Sequence, residues 1–245
     1  MTERPLRLYG IALSHPVIAV RGMLEHKRLS HRYVELLAGS HPLQLFARGF
    51  RAPTVPALEL SDGRRVQGSL AIARALEALA PLPSLYPADP GVRSAAEEAE
   101  RWGEAVLQPI PRRLIRWGLR HSLRQRQWFA EIATPLPAPA LVGIALTPVV
   151  PVFTWQSGAS EERVRSDLDA LPSLLDEVDR LLADGVIGRE DLGAADFQIA
   201  ATVRTLAAMG EVGRLVAGRP AETFARRVVP IYPDVPAALP VGSLP

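Results

Sequence analysis

Pro56 interrupts the run Thr54-Val55-Pro56-Ala57-Leu58, an apolar stretch that otherwise reads as a strand. Proline has no amide hydrogen to give a sheet ladder, so within such a run it marks the strand's first residue, an edge or an interruption. We read an interruption. An X-Pro bond held cis at a strand entrance turns the preceding N–H and C=O away from the ladder, leaving Val55 with a free backbone edge. A few residues later Val66-Gln67-Gly68-Ser69-Leu70-Ala71-Ile72 leads into a helix that Ser69 opens. Asp62-Gly63 between the two stretches is a hairpin signal, so a strand edge and a helix start are tied together by a short connection.

The flanking segments extend this unit. Leu6-Arg7-Leu8-Tyr9-Gly10 alternates and ends in glycine, as a short strand does before a turn. Ser14-His15-Pro16 is a helix start, with serine as cap and proline in the first turn, and the apolar spacing carries that helix to about Lys27. Arg32 to Leu37 is a second strand, and a short irregular helix is expected around Leu43 to Phe46. The hairpin takes Val55 to Leu60 and Arg64 to Gln67, and a helix from Ser69 to Ala80 has Ile72, Leu76 and Leu79 on one face. The order β-α-β-α-β-β-α is the thioredoxin-like arrangement.

From Gly91 onward the periodicity becomes helical. One helix is expected from Val92 to Leu107 and, beyond Pro109 and Pro111, a second from about Arg112 to Ile132. Arg112, Arg116, Arg120 and Arg124 recur every four residues as a basic stripe, either a solvated face or an anion-attracting wall on a ligand cleft or partner. Residues Ala133 to Ser157 read as a proline-rich connection with a helical turn or two around Leu141 to Leu146, packed between helices or lying over a cleft. Glu161 to Ala183 is amphipathic and is expected to be the central core helix. Gly193-Ala194-Ala195-Asp196 places an aspartate at the third position of a following helix, a structural capping role, and a last helix is expected from Val212 to Val228 before a proline-rich tail.

Bulk properties remove several function classes. The 245 residues, 48% apolar and 22% charged, suit an ordinary globular chain with room for two domains. Nearly all positive charge is arginine, Lys27 being the only lysine, and a net charge of +2 with no nucleic-acid motif gives no reason to expect a nucleic-acid partner. The absence of cysteine excludes disulfides, thiolate metal sites and a cysteine nucleophile. The five histidines form no cluster in the sequence, so no metal is expected. The first residues hold no apolar core suited to a signal peptide, so a cytoplasmic location is expected. The uncharged run between Glu131 and Glu161 contains five prolines, too many for a membrane span.

Taken together, Leu6–Gly10 with Ser14, Thr54-Val55-Pro56 and Ser69-Leu70-Ala71-Ile72 resemble, in order and spacing, the glutathione S-transferase family. The resemblance implies a thioredoxin-like glutathione-binding domain at residues 1–80, a linker at 81–90 with four prolines, and an all-helical substrate-binding domain at 91–245. Glutathione would be the co-substrate, joined to an apolar electrophile by a homodimeric enzyme.

By the same resemblance Ser14 would stabilise the glutathione thiolate as in serine-type members, although the proline of their Ser-Pro-Phe-like start stands one place later, at Pro16. Val55, beside Pro56, would pair its backbone with the cysteinyl unit, and Ser69 with the amides at its helix start would take the γ-glutamyl carboxylate. Gly68 stands where the family has glutamate or glutamine, and Gln67 is one place early, its side chain expected on the other face. Tyr9 is a second, weaker candidate for the thiolate partner, read as a strand residue. Arg113 and Trp117 are candidates for the electrophile site, with core packing the alternative for the tryptophan. Capping alone is the competing role for both serines. Gly68 and the displaced proline also motivate a noncatalytic alternative, the same fold binding apolar ligands or a protein partner.

Overall fold

The computed structural model describes residues 5–133, 138–148, 150–236, 238–240 and 242. Four strands, β1 (Leu6–Gly10), β2 (His31–Glu35), β3 (Ala57–Glu59) and β4 (Arg65–Gln67), form one sheet in the order β2-β1-β3-β4. β1 and β2 run parallel, with Leu8 opposite Tyr33, and the other two pairings are antiparallel, with Tyr9 opposite Ala57 and Leu58 opposite Val66. The parallel pair needs a crossover, supplied by α1 (His15–His26), whereas the antiparallel pair needs only the turn at Asp62-Gly63, where Gly63 has φ +86°. α2 (His41–Phe46) leads into the third strand, and α3 (Ser69–Leu79) follows the fourth. This is the mixed sheet with flanking helices that the order of motifs implied.

The helical half starts with α4 (Pro90–Trp102), capped by Asp89, whose side chain accepts from the amides of Gly91 and Val92. The helix expected to reach Leu107 changes pitch at Gly103: residues Gly103–Leu107 are a π-helix, and Gln108 donates its amide to the Gly103 carbonyl at 2.8 Å. Pro109 and Pro111 explain the change, because neither can donate to the carbonyl four residues behind it. α5 (Pro109–His121) and α6 (Leu123–Ala133) replace the single helix expected from Arg112 to Ile132. They part at Ser122, whose backbone is extended, and the Gln125 side chain then lies over Gly118, where a methyl group would stand 1.8 Å from its Oε1.

Within the stretch read as a connection, α7 (Pro139–Ala145) and α8 (Val150–Gln156) are both helical; residues 134–137 and 149 of that stretch lie outside the described residues. α9 (Glu161–Ala183) buries one face only, and the central helix is instead α10 (Ala194–Ala207), buried from Ala194 through Leu206. Asp196 has the expected structural role, accepting from the amides of Gly188 and Gly193. The last expected helix is two, α11 (Gly213–Val216) and α12 (Pro220–Val228), since Pro220 cannot donate to the Val216 carbonyl. No described helix is long and apolar enough to cross a membrane.

Polar contacts in the core lock the halves together. Lys27, the chain's one lysine, is buried; its Nζ reaches the carbonyls of Ala80 and Pro83 and pairs with Glu77 at 2.7 Å. Glu77 in turn accepts from Ser84 Oγ and the Leu85 amide, so the chain leaving α3 is held over several residues. Glu100 of α4, fully buried, pairs with Arg74 of α3 at 2.9 Å and accepts from Tyr86 and from Gln198 of α10. Burial pushes its carboxyl up to about 7 despite Arg74.

An acid raised in the folded state favours folding fully below its unfolded value near 4.5, and that contribution fades as pH rises to 7. Urea unfolding of Glu100→Gln and the parent across pH 4 to 8 is therefore expected to show the variant gaining relative stability with rising pH, most between about 4.5 and 7. A constant difference across that window would mean Glu100 does not titrate in the folded protein.

Candidate functional site

The site forms at the end of the sheet where β1 leaves it. Ser14 is the cap residue of α1 by backbone: its conformation is extended, at φ −74° and ψ 107°, and its carbonyl accepts from the amides of Val17 and Ile18. Its hydroxyl makes no capping bond. The hydroxyl is thus left for another partner beside the positive end of a twelve-residue helix. The loop before it is fixed from the other end of the chain, since Tyr232 donates its phenol to the Leu13 carbonyl at 3.0 Å. Tyr9 lies in β1 as a strand residue, buried against Phe50, with its hydroxyl on Glu59 at 3.2 Å.

β3 begins directly after the Val55–Pro56 bond, which is cis. Among the described residues the backbone N–H and C=O of Val55 have no hydrogen-bond partner, while the Pro56 carbonyl accepts from the Gly68 amide at 3.0 Å. That bond joins the free edge at Val55 to the start of α3. Gly68, not Ser69, is the cap of α3, at φ +88°, and it contributes no side-chain bond. The amides of Ser69, Leu70 and Ala71 therefore open the helix without an acceptor among the described residues. Space above Gly68 is open: nothing stands within 4 Å of where a Cβ would lie. Gln67 does point elsewhere; its side chain accepts from the amides of Arg51 and Ala52 and donates to the carbonyls of Ala52 and Thr54. It braces the loop that delivers Val55.

Gln108, the first residue past the π-helix, closes the site from the helical half. Its carbonyl receives the His15 ring nitrogen at 3.2 Å, and its side-chain amide reaches the hydroxyl of Ser69, itself 1% exposed, at 3.5 Å. Because a carbonyl only accepts, Nε2 of His15 carries the proton. Burial, and then the charge of Arg112, hold that imidazole down at about 3, so it is neutral near pH 7. Arg112 donates to Gln108 Oε1 at 3.3 Å. One turn further, the charge of Arg116 adds to burial in lowering His41, at the start of α2, to about 4.

The stripe of arginines thus divides. Arg112 and Arg116 are half-buried on the face that meets the sheet half, so the solvated reading fails for them; Arg120 and Arg124 are exposed. Arg113 is bound by both nitrogens to Asp167 of α9, at 2.5 and 2.7 Å. Trp117 sits in the main core, 8% exposed and stacked on His121. Gln67 was read only as a side chain turned away from the ligand, and Gln108 and Tyr232 were not singled out at all. No local pattern marks Tyr232, and for Gln108 the available signal was Pro109 beside it, which cannot continue α-helical pitch. No group of residues suited to a metal ion occurs among the described residues.

Comparison with known proteins agrees with this geometry. Residues 8–84 match the family model of the glutathione S-transferase N-terminal domain. No curated protein matches the sequence. Among solved structures, a Tau-class glutathione S-transferase from mango, Mangifera indica, is similar with a TM-score of 0.56 at 16% identity, over 93% of this chain and 89% of that one. The beta-etherase LigF from Sphingobium sp. strain SYK-6 gives 0.60 at 19% identity, over 95% and 97%. A maleylacetoacetate isomerase from Anaeromyxobacter dehalogenans 2CP-1, solved with bound glutathione, gives 0.53 at 21%, over 91% and 88%. At such identities the likeness of the whole chain is one of fold, and the matched segment contains the Val55–Pro56 edge and the α3 start. Residues 8–84 match a glutathione S-transferase N-terminal domain, and the chain as a whole has the fold of the glutathione S-transferases.

Proposed function

We propose that the protein is a glutathione transferase that joins the glutathione sulfur to an electrophile, with Ser14 holding the thiolate. The division follows the family: residues 1–80 bind glutathione, 81–90 link, and 91–245 receive the second substrate, in a cytoplasmic homodimer. The observation that carries the reading is the group of polar atoms at one end of the sheet that have no partner among the described residues, namely the Ser14 hydroxyl, both backbone groups of Val55, and the first amides of α3. Their chemistry matches the parts of glutathione in turn. A cysteinyl backbone pairs with an extended edge, a γ-glutamyl carboxylate suits a helix start, and a thiolate accepts from a hydroxyl.

Thiol deprotonation precedes the chemistry, since the thiol itself is a poor nucleophile. The proton leaves to solvent, and a hydroxyl donor at a helix start stabilises the anion that remains. A charge-assisted bond of about 1.5–3 kcal/mol lowers the thiol pKa by about one to two units. The sulfur lone pair then forms a carbon–sulfur bond, and the leaving group departs with the electrons of the bond it breaks. His15 is an unsuitable base, because burial and the charge of Arg112 hold its imidazole down at about 3. Gly68 favours a second reading, noncatalytic binding of apolar ligands or a protein partner, because a side chain that the family places over the ligand is missing while the space is left open.

Ser14→Ala tests the transferase reading. Ultraviolet titration of the bound thiolate is expected to show its pKa raised by about one to two units, with kcat/KM near pH 7 lowered about 10- to 100-fold. An unchanged pKa and rate would remove Ser14 from the mechanism.

A further inference from the structure

The second substrate meets an unusual wall. Gln108, Arg112 and Arg116 stand at four-residue steps on one face of α5, and Gln108 fixes where that face points by touching both His15 and Ser69. Arg112 lies against Gln108, and its charge is felt at His15, the residue after Ser14. The charge of Arg116 is felt at His41, at the start of α2, whose buried Nδ1 has no hydrogen-bond partner among the described residues. Both histidines are held neutral, so neither adds to nor offsets these cations near pH 7.

Arg113 shows what a satisfied arginine looks like on the same helix, paired by two bonds to a carboxylate. Arg112 has no such partner: among the described residues no carboxylate lies within ion-pair distance of it, and Glu104 eases its charge only from further away. Burial works against the charge of both Arg112 and Arg116, and Arg112 also works against Arg116. A half-buried cation such as Arg112, with no carboxylate at hand, is costly unless an anion joins it. An apolar electrophile would leave that cost unmet, and an apolar side chain at 112 would serve it better.

We propose that the electrophile carries a carboxylate, which Arg112 binds with Arg116 beside it, one helical turn further from Gln108. This rests on the transferase reading above and puts an anionic electrophile in place of the apolar one that the resemblance implied. Glutathione's own γ-glutamyl carboxylate has the α3 amides as its place, which leaves the α5 pair to the second substrate. In the reaction the carboxylate is a handle and takes no part in bond making: sulfur bonds to the electrophilic carbon while the leaving group departs with its electron pair.

The test compares chlorodinitrobenzoate, with chlorine para to the carboxylate, and its neutral methyl ester, each rate divided by the uncatalysed rate. The parent enzyme is expected to prefer the carboxylate. Arg112→Gln should lower the carboxylate-to-ester ratio of kcat/KM by about tenfold or more, and Arg112→Lys should recover much of it. The KM for glutathione should stay within about twofold of the parent's. An unchanged ratio, or a loss confined to the glutathione KM, would overturn the assignment. If neither compound is conjugated, the transferase reading has failed and calorimetry with unreactive dinitrobenzoate decides the anion site alone. Binding to the parent that Arg112→Gln weakens supports the site, and equal or absent binding in both overturns it.

Discussion

Gln108 is the contact on which the site depends. It belongs to the helical half, yet its carbonyl holds the His15 ring at the start of α1 and its amide holds the Ser69 hydroxyl at the start of α3. Both helix starts are thereby referred to one residue. A π-helical turn places it there, and the prolines at 109 and 111 account for that turn, since they remove the amides that α-helical pitch would need. The Lys27 and Glu77 cluster keeps the connecting chain in register, and α10 supplies the core against which α1 and α4 both pack. A buried, hydrogen-bonded network of this sort fixes relative placement more than it adds stability.

The electrostatics of the cleft follow from the same placement. Helix starts, unpartnered amides and the Arg112–Arg116 pair all favour negative charge, and the two histidines that face them are kept neutral by burial and by those cations. A thiolate would be stabilised here by several modest contributions acting together. Gly68 adds no side chain to them. At φ +88° the position favours glycine, so an added side chain would strain the backbone even though space for it is open.

Much of the sheet half was legible because its signals are local. Asp62-Gly63 specifies its turn, Pro56 cannot sit within a ladder, and Ser14 and Pro16 mark a helix start wherever the rest of the chain goes. The helical half was less so. Amphipathic periodicity singled out α9, which is half-exposed, whereas α10 is buried all round and so shows little period. The arginine stripe had a charge pattern but no direction, and adjacent Arg112 and Arg113 point about 100° apart, one to the cleft and one to Asp167. The serines were ambiguous between capping and binding. In the fold Ser14 caps with its backbone only, and Gly68 takes the cap of α3 from Ser69.

In the proposed function, one end of the sheet recognises glutathione by its separate parts. Calorimetric titration of the protein with glutathione and with cysteinylglycine, which lacks the γ-glutamyl group, separates those parts. Saturable binding of glutathione, with the dipeptide bound at least about tenfold more weakly for want of the carboxylate at the α3 start, is the predicted result. No detectable binding of glutathione at millimolar concentration, or equal binding of the two, would contradict it.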